Sequence, residues 1–191
     1  DEGFAEQPDR PDDEGLDTNC DGIDGIIGEA LFVAPNGNDR NSGLTPDQPI
    51  QTIQRALRLA AVFDERTMIL VQTGVYRMDE PLSLVSGVSV FGGYGPLFER
   101  RNADRVSLQV DAGVGVQAVG LNAPTTLEQF DIQVMDQFEP GAAAIGIVVT
   151  DSGDLLSISR TEIRVGRGGD GRDGNDGFDG EIGRPGINAA G

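Results

Sequence analysis

The chain has 191 residues, enough to bury one substantial core, and its 38% apolar content fits one folded domain with polar appendages. Its 32 acidic side chains against 14 basic ones leave a net charge of −18, which repels nucleic acid and anionic membrane surfaces and favours multivalent cations as partners. Every basic residue is Arg, so with no Lys, His or Trp, histidine catalysis, a His-ligated metal and a tryptophan sugar platform are excluded.

The opening residues DEGFAEQP lack the basic and apolar regions of a signal peptide, as expected of a mature secreted chain, and no apolar run approaches the ~18 residues of a membrane span, so direct membrane insertion is not expected. Residues 1–25 hold ten acidic side chains against Arg10, with Pro8 and Pro11 and hardly an apolar residue before Ile23. Alone, such a segment stays disordered. It ends, however, in Asp17-Thr-Asn19-Cys-Asp21-Gly22-Ile23, the opening of a calcium loop. Oxygen side chains at positions one, three and five converge on one point, glycine at six permits the bend, and the seventh residue offers its carbonyl. Position twelve is Gly28, with Glu29 one place later, so this is not an EF-hand. Asp24, or Asp13 or Asp9 folding back, would complete the set. The candidate ligands for Ca²⁺ are therefore Asp13, Asp17, Asn19, Asp21, Ile23 and Asp24, and a plain acidic linker is the alternative. Mg²⁺ seldom takes an all-protein cage and is less suited. The wider string PDRPDDEGLDTNCDGIDG is similar to an Asp-rich metal-binding motif that precedes β-helices in large surface proteins of myxobacterial type, and distantly to thrombospondin type 3 calcium repeats. Cys20 has no second cysteine to pair with, and reads as a small inert residue or as one half of an intermolecular bridge.

From Leu31 to Tyr94 strand, turn and helix signals follow one another without conflict. A short apolar strand, LFVA, leads into a polar loop over 35–49 rich in Gly, Pro, Asn and Asp. In PIQTIQRALRLAAVF, Ile50, Ile53, Ala56, Leu57, Ala60 and Ala61 recur on one helical face with Arg55 and Arg58 turned outward, which predicts a helix over 50–61. MILVQTGVY and LSLVSGVSVFGGY are β-branched runs broken by Gly74, Gly87 and Gly92–Gly93. This order resembles the start of a right-handed parallel β-helix of the pectate-lyase-like superfamily. The resemblance implies that the helix plugs the amino-terminal end of a solenoid whose first coils follow it. It implies little about activity, because that fold hosts lyases, hydrolases, adhesins and inert scaffolds.

After Tyr94, GPLFERRNADR reads as a loop thrown out from a coil. Strand-like runs resume at 106–110, 114–119, 125–134, 144–149 and 155–165. LSLVSGVSV, TLEQFDIQV and LLSISRTEIRV share one template, an alternating apolar pair, a polar turn and a second pair. No helical segment separates these runs, which excludes a βαβ sheet and leaves a parallel solenoid or a β-sandwich. A sandwich would need hairpin turns and has no place for the helix. The expected fold is thus all-β: a short right-handed parallel β-helix over 30–165, capped by the helix at 50–61, between an acidic calcium-loop segment (1–29) and an extended tail (166–191).

In that tail glycine occupies every third position from Gly168 to Gly186. Seven triplets with only Pro185 would make a weak collagen helix. A disordered linker is one alternative. A polyproline-II-like strand is another, placing Gly168, Gly171, Gly174, Gly177 and Gly180 on one edge for close backbone approach and Asp170, Asp173, Asp176 and Asp179 on a second. Such a tail is expected to pack along the coils or on another copy.

The expectation for function is a non-catalytic, calcium-stabilised extracellular or cell-surface module that self-associates through its ends and tails into a homo-oligomer, layer or fibre. The alternative is a β-helix protein that binds or cleaves cell-surface polysaccharide. Asp131, Asp136, Glu128 and Arg164 are the side chains a lyase or hydrolase could use, yet no motif joins them.

Overall fold

The computed structural model describes residues 9–12, 14–100, 103–177, 180 and 182–183; Asp13 and Asp179 lie outside the described residues. The described residues form mostly strands with one α-helix. In order these are β1 (Ala30–Val33), α1 (Ile53–Ala60), β2 (Met68–Gln72), β3 (Val75–Met78), β4 (Leu82–Ser83), β5 (Ser89–Tyr94), β6 (Val106–Val110), β7 (Val114–Val119), β8 (Thr125–Glu128), β9 (Phe130–Val134), β10 (Ile145–Thr150), β11 (Leu156–Ser159) and β12 (Glu162–Val165).

The strands form three sheets, ordered β1-β2-β5-β8-β11, β3-β6-β9-β12 and β4-β7-β10, and their strand pairs are parallel. From β2 onward the chain visits the five-, four- and three-stranded sheets in turn. In the last pass each strand lies beside the one thirty-one positions earlier in all three sheets: Leu156 beside Thr125, Glu162 beside Asp131, Ile145 beside Val114. Earlier passes differ in length because the 95–105 loop falls within only some of them.

The alternation in the sequence is what sets the strand faces. In β6, Val106, Leu108 and Val110 are buried while Ser107 and Gln109 stay half-buried. The run expected over 125–134 breaks into β8 and β9 at Gln129, whose φ is 69°, and the run over 155–165 breaks at Arg160, φ 47°, thirty-one residues on. Neither residue is glycine, so each left-handed bend must be held by its surroundings. For Gln129 the hold is visible: its Nε2 donates to the Asp104 carbonyl at 2.6 Å.

The helix starts later than predicted. Thr52 caps it, its Oγ1 accepting from Arg55 N–H and donating to Asp39 Oδ2 at 2.8 Å, while Ile50 stays extended and bridges to Val33. Ile53, Ala56, Leu57 and Ala60 are buried and belong to the same apolar cluster as Leu31, Val33, Ile69 and Val71. That cluster lies between the three sheets and contains the in-register columns Ile69, Val90, Leu127 and Tyr76, Leu108, Ile132. A second cluster, with Phe32, Leu70, Phe91, Tyr94 and Phe98, covers the outer face of the five-stranded sheet. This explains why β1 is buried on both faces.

Candidate functional site

The loop between β5 and β6 does not simply project into solvent. Phe98 is fully buried against Phe32, ring centroids 4.9 Å apart, and the Arg100 side chain is 0% exposed. On the outer face of the five-stranded sheet the register runs Phe32, Leu70, Phe91 and then Glu128. Arg100 lies over that change from apolar to charged. Its guanidinium carbon is 5.5 Å from the Phe91 ring centroid and 5.7 Å from that of Tyr94, and it pairs with Glu128 and, at 3.4 Å, with Asp24. Glu128 also takes Arg160 and the Ser159 hydroxyl.

These partners dictate the charges. Burial pushes the Asp24 carboxyl up to about 6, against the pull of Arg100. At Glu128 burial also pulls upward, but the hydrogen bonds from Arg160 and Ser159 and the Arg100 charge outweigh it and hold the group below its usual value. Burial raises the Tyr94 phenol well above its ordinary range; its hydroxyl donates to the Asp24 carbonyl at 2.6 Å. The acidic amino-terminal segment is therefore tied to the sheet. Asp9, 2% exposed, accepts from Thr18 N–H and Oγ1 and from Gly25 N–H, closing the segment on itself.

The sequence-nominated calcium ligands divide here. Asp17 accepts from Asp21 and Gly22 N–H at 3.0 and 2.8 Å, Asn19 Oδ1 accepts from Asp21 N–H, and Asp21 accepts from Ile23 and Ile27 N–H. All three surround one bend, with Gly22 at φ 103° where position six requires it. The Ile23 side chain is buried in the outer cluster, so only its carbonyl is free to serve. Asp24 points elsewhere, its oxygens taken by Arg100 and by Asp12 N–H. Among the described residues no three His, Cys, Asp or Glu side chains stand close enough together to hold a metal ion. Cys20, exposed and at φ 58°, is a free thiol.

The outward face of the four-stranded sheet carries a cavity of about 790 Å³. Arg77, Gln109 and Gln133 form its floor in strict register on β3, β6 and β9. Asp79, Asp111 and Asp136 line it where the strands end, and Met135 and Phe138, 42% and 88% exposed, complete the rim. Asp131 and Arg164 lie on the same sheet but pair with each other at 2.9 Å, and Arg164 also holds Glu162. Of the residues lining the cavity only Asp136 is nominated by the sequence: alternation within VSLQV and FDIQV is a signal that could place Gln109 and Gln133 outward, but Arg77 follows the run that ends at Tyr76, and the mutual register is not readable from irregular spacing.

In the tail, Gly168, Asp170, Gly171, Asp173, Gly174, Asp176, Gly177 and Gly180 are exposed. Among the described residues the tail is bonded only as far as Asp170, to the segment between β9 and β10: Gly169 N–H donates to Ala142 O and Gly141 N–H to Asp170 O. A side chain at Gly171, Gly174, Gly177, Gly180 or Gly183 would meet nothing within 4 Å. Among the described residues no helix is long and apolar enough to cross a membrane. No family model, no curated protein and no solved structure matches the chain.

Proposed function

We propose that the protein is a non-catalytic structural module: a short right-handed parallel β-helix, closed at one end by α1, that joins a second copy through its other end in an extracellular assembly. The cyclic visiting order of three parallel sheets supports the winding, and the burial of α1 against β1 and β2 supports its role as a cap.

The observation that carries the reading is the contrast between successive turns. Ile145, Val149 and Val165 are paired in register with Val114, Ala118 and Val134 on the preceding strands. Ala118 and Val134 are 0% exposed, whereas Ile145, Val149 and Val165 are 39%, 48% and 44% exposed. Among the described residues β10, β11 and β12 pair on one side only. Such an end combines unpaired backbone with apolar side chains and needs covering. With the opposite end occupied by α1, two open ends meet each other more readily than head to tail, and the Gly-triplet tail supplies a second contact for extension into a layer or fibre. Asp17, Asn19, Asp21 and the Ile23 carbonyl are the groups we assign to Ca²⁺, which would fix the bend that docks the amino-terminal segment.

Light scattering on the intact protein tests the association: a dimer or larger species is expected, and Val149→Asp with Val165→Asp should give a monomer of unchanged circular dichroism. A wild-type monomer, with and without calcium, overturns it. For the metal, calorimetry after chelation should show Ca²⁺ binding that disappears in Asp17→Ala/Asp21→Ala; equal titrations in both proteins refute the assignment.

A further inference from the structure

The cavity on the four-stranded sheet is unusual in its unspent polar groups. Elsewhere on the sheets carboxylates have cationic neighbours: Glu128 has Arg100 and Arg160, Asp131 has Arg164, and Glu162 has Arg164 and Arg105. The side chains of Asp79 and Asp111, in contrast, have no hydrogen-bond or ion-pair partner among the described residues, and neither do those of Arg77 and Gln109, although backbone groups here are bonded, Asp111 N–H to Met78 O among them. Among the described residues the Asp136 carboxylate has Arg167 alone, accepting from its backbone N–H and lying 4.0 Å from its Nε. Asp79 and Asp111 follow Met78 and Val110, which are paired in register, so the two carboxylates sit one strand apart. Neighbouring strands are separated by about 4.8 Å, close enough for like charges to oppose each other.

We propose that this groove binds an amine-bearing polysaccharide, a chain of glucosamine-type units with free ammonium groups, laid across successive strands. The charge decides the polymer's sign. Three carboxylates and one guanidinium line the cavity, in a chain of net charge −18, so an anionic polysaccharide is repelled while ammonium groups relieve the repulsion between Asp79 and Asp111. The amides decide that it is a polyol. Gln109 on its strand presents a donor and an acceptor, the pairing a sugar hydroxyl needs, and Gln133 on the adjacent strand keeps its oxygen and a second N–H, its Nε2 also donating to Val134 O at 3.3 Å. Exposed Phe138 and Met135 supply apolar area for the C–H face of a ring, and Phe138 supplies a π-face for an ammonium.

A basic peptide fits less well. The groove is a sheet face, whose backbone groups are already spent in parallel ladders, so an extended peptide finds no strand edge for its own main chain. The sugar chain brings no amide ladder that needs such an edge.

Calorimetry on the intact protein with glucosamine hexamer, N-acetylglucosamine hexamer, oligogalacturonate and oligolysine tests this. The glucosamine hexamer should bind, weakening as salt is raised. The acetylated hexamer should bind at least about tenfold more weakly and oligogalacturonate should not bind. Asp79→Asn/Asp111→Asn should weaken the amine oligomer by at least about tenfold, and Gln109→Ala several-fold, with circular dichroism unchanged. Absence of glucosamine binding, equal binding of the acetylated form, or indifference to these substitutions overturns the proposal. So does oligolysine binding as tightly with the same response to Asp79→Asn/Asp111→Asn, which would make the groove a basic-peptide site.

Discussion

Arg100 meets Asp24 at 3.4 Å, with the two side chains 0% and 1% exposed, although seventy-six residues separate them in sequence. The pair joins the acidic amino-terminal segment to the sheet body, and the two partners are not equivalent. Arg100 also pairs with Glu128 and covers Phe91 and Tyr94, so Arg100→Ala leaves the buried Asp24 without its cation, leaves Glu128 to Arg160 and Ser159 alone, and strips two rings. Removing one partner of a buried pair costs about 3–5 kcal/mol. Asp24→Asn, in contrast, keeps an acceptor for Asp12 N–H and removes a charge that burial disfavours. Urea unfolding should show the Arg100 variant strongly destabilised and the Asp24 variant within about 1 kcal/mol of the parent; equal losses would contradict this account of the pair.

The two carboxylates that meet Arg100, Asp24 and Glu128, make stability respond to pH in opposing ways. The carboxyl of Asp24 is raised from 3.8 to about 6, so the folded state holds its proton more tightly than the unfolded state. The cost of ionising it is fully present above about pH 6 and is relieved as pH falls toward the unfolded value. Glu128 is held below 4.5, so its contribution is present above that value and is lost as pH falls through its lower folded pKa. Stability, followed by thermal melting in chelator, should therefore rise on going from neutral pH to about 5 and fall in stronger acid. Asp24→Asn should flatten the rise and leave the acid fall in place. A monotonic fall from pH 7 in the parent would show that Asp24 does not carry the effect.

The elements legible in the sequence are those whose physics is local. The spacing of Ile53, Ala56, Leu57 and Ala60 announces a helix, though not its start at the Thr52 cap, and β6 and β7 fall on the predicted 106–110 and 114–119. The polar turns at Gln129 and Arg160 were legible in the shared strand template, but their left-handed backbone was not, because a non-glycine residue at positive φ is held by distant partners such as Asp104. Arg100 was hidden for a related reason. A run of charged residues looks solvated, and nothing near it in sequence says that Phe91, Tyr94, Glu128 and Asp24 enclose it. The calcium-type loop was legible as a spacing, but the turning of Asp24 toward Arg100 was not.

Glycine has two different jobs in the tail, and substitution should separate them. A Cβ at Gly169 would lie 2.0 Å from the Glu139 carbonyl oxygen, and one at Gly166 would lie 2.5 Å from Asp136 Oδ1. Alanine at either site must push backbone or a hydrogen-bonded side chain aside, and overpacking of this type costs about 1–3 kcal/mol. Alanine at Gly174 or Gly177 meets open space and should change unfolding by no more than about 0.5 kcal/mol. If the triplets serve contact between copies, the Gly174 and Gly177 substitutions should shift the association equilibrium seen by sedimentation while leaving the melt of the separate chain untouched.

Leu127 and Ile158 are partners in register on the adjacent parallel strands β8 and β11. Leu127 is 0% exposed and has strands on both sides, whereas Ile158 is half-buried on the last strand of its sheet. Truncating a fully enclosed aliphatic side chain costs about 2–5 kcal/mol, and the cost falls where solvent can fill the space left behind. Leu127→Ala should therefore unfold at markedly lower denaturant at any protein concentration. The loss in Ile158→Ala should depend on concentration: small where the copies are apart, and larger where a second open end buries the same side chain. Denaturation at two concentrations about a hundredfold apart reads the difference directly. A concentration-independent loss at Ile158 as large as that at Leu127 would mean that the separate chain already encloses this end.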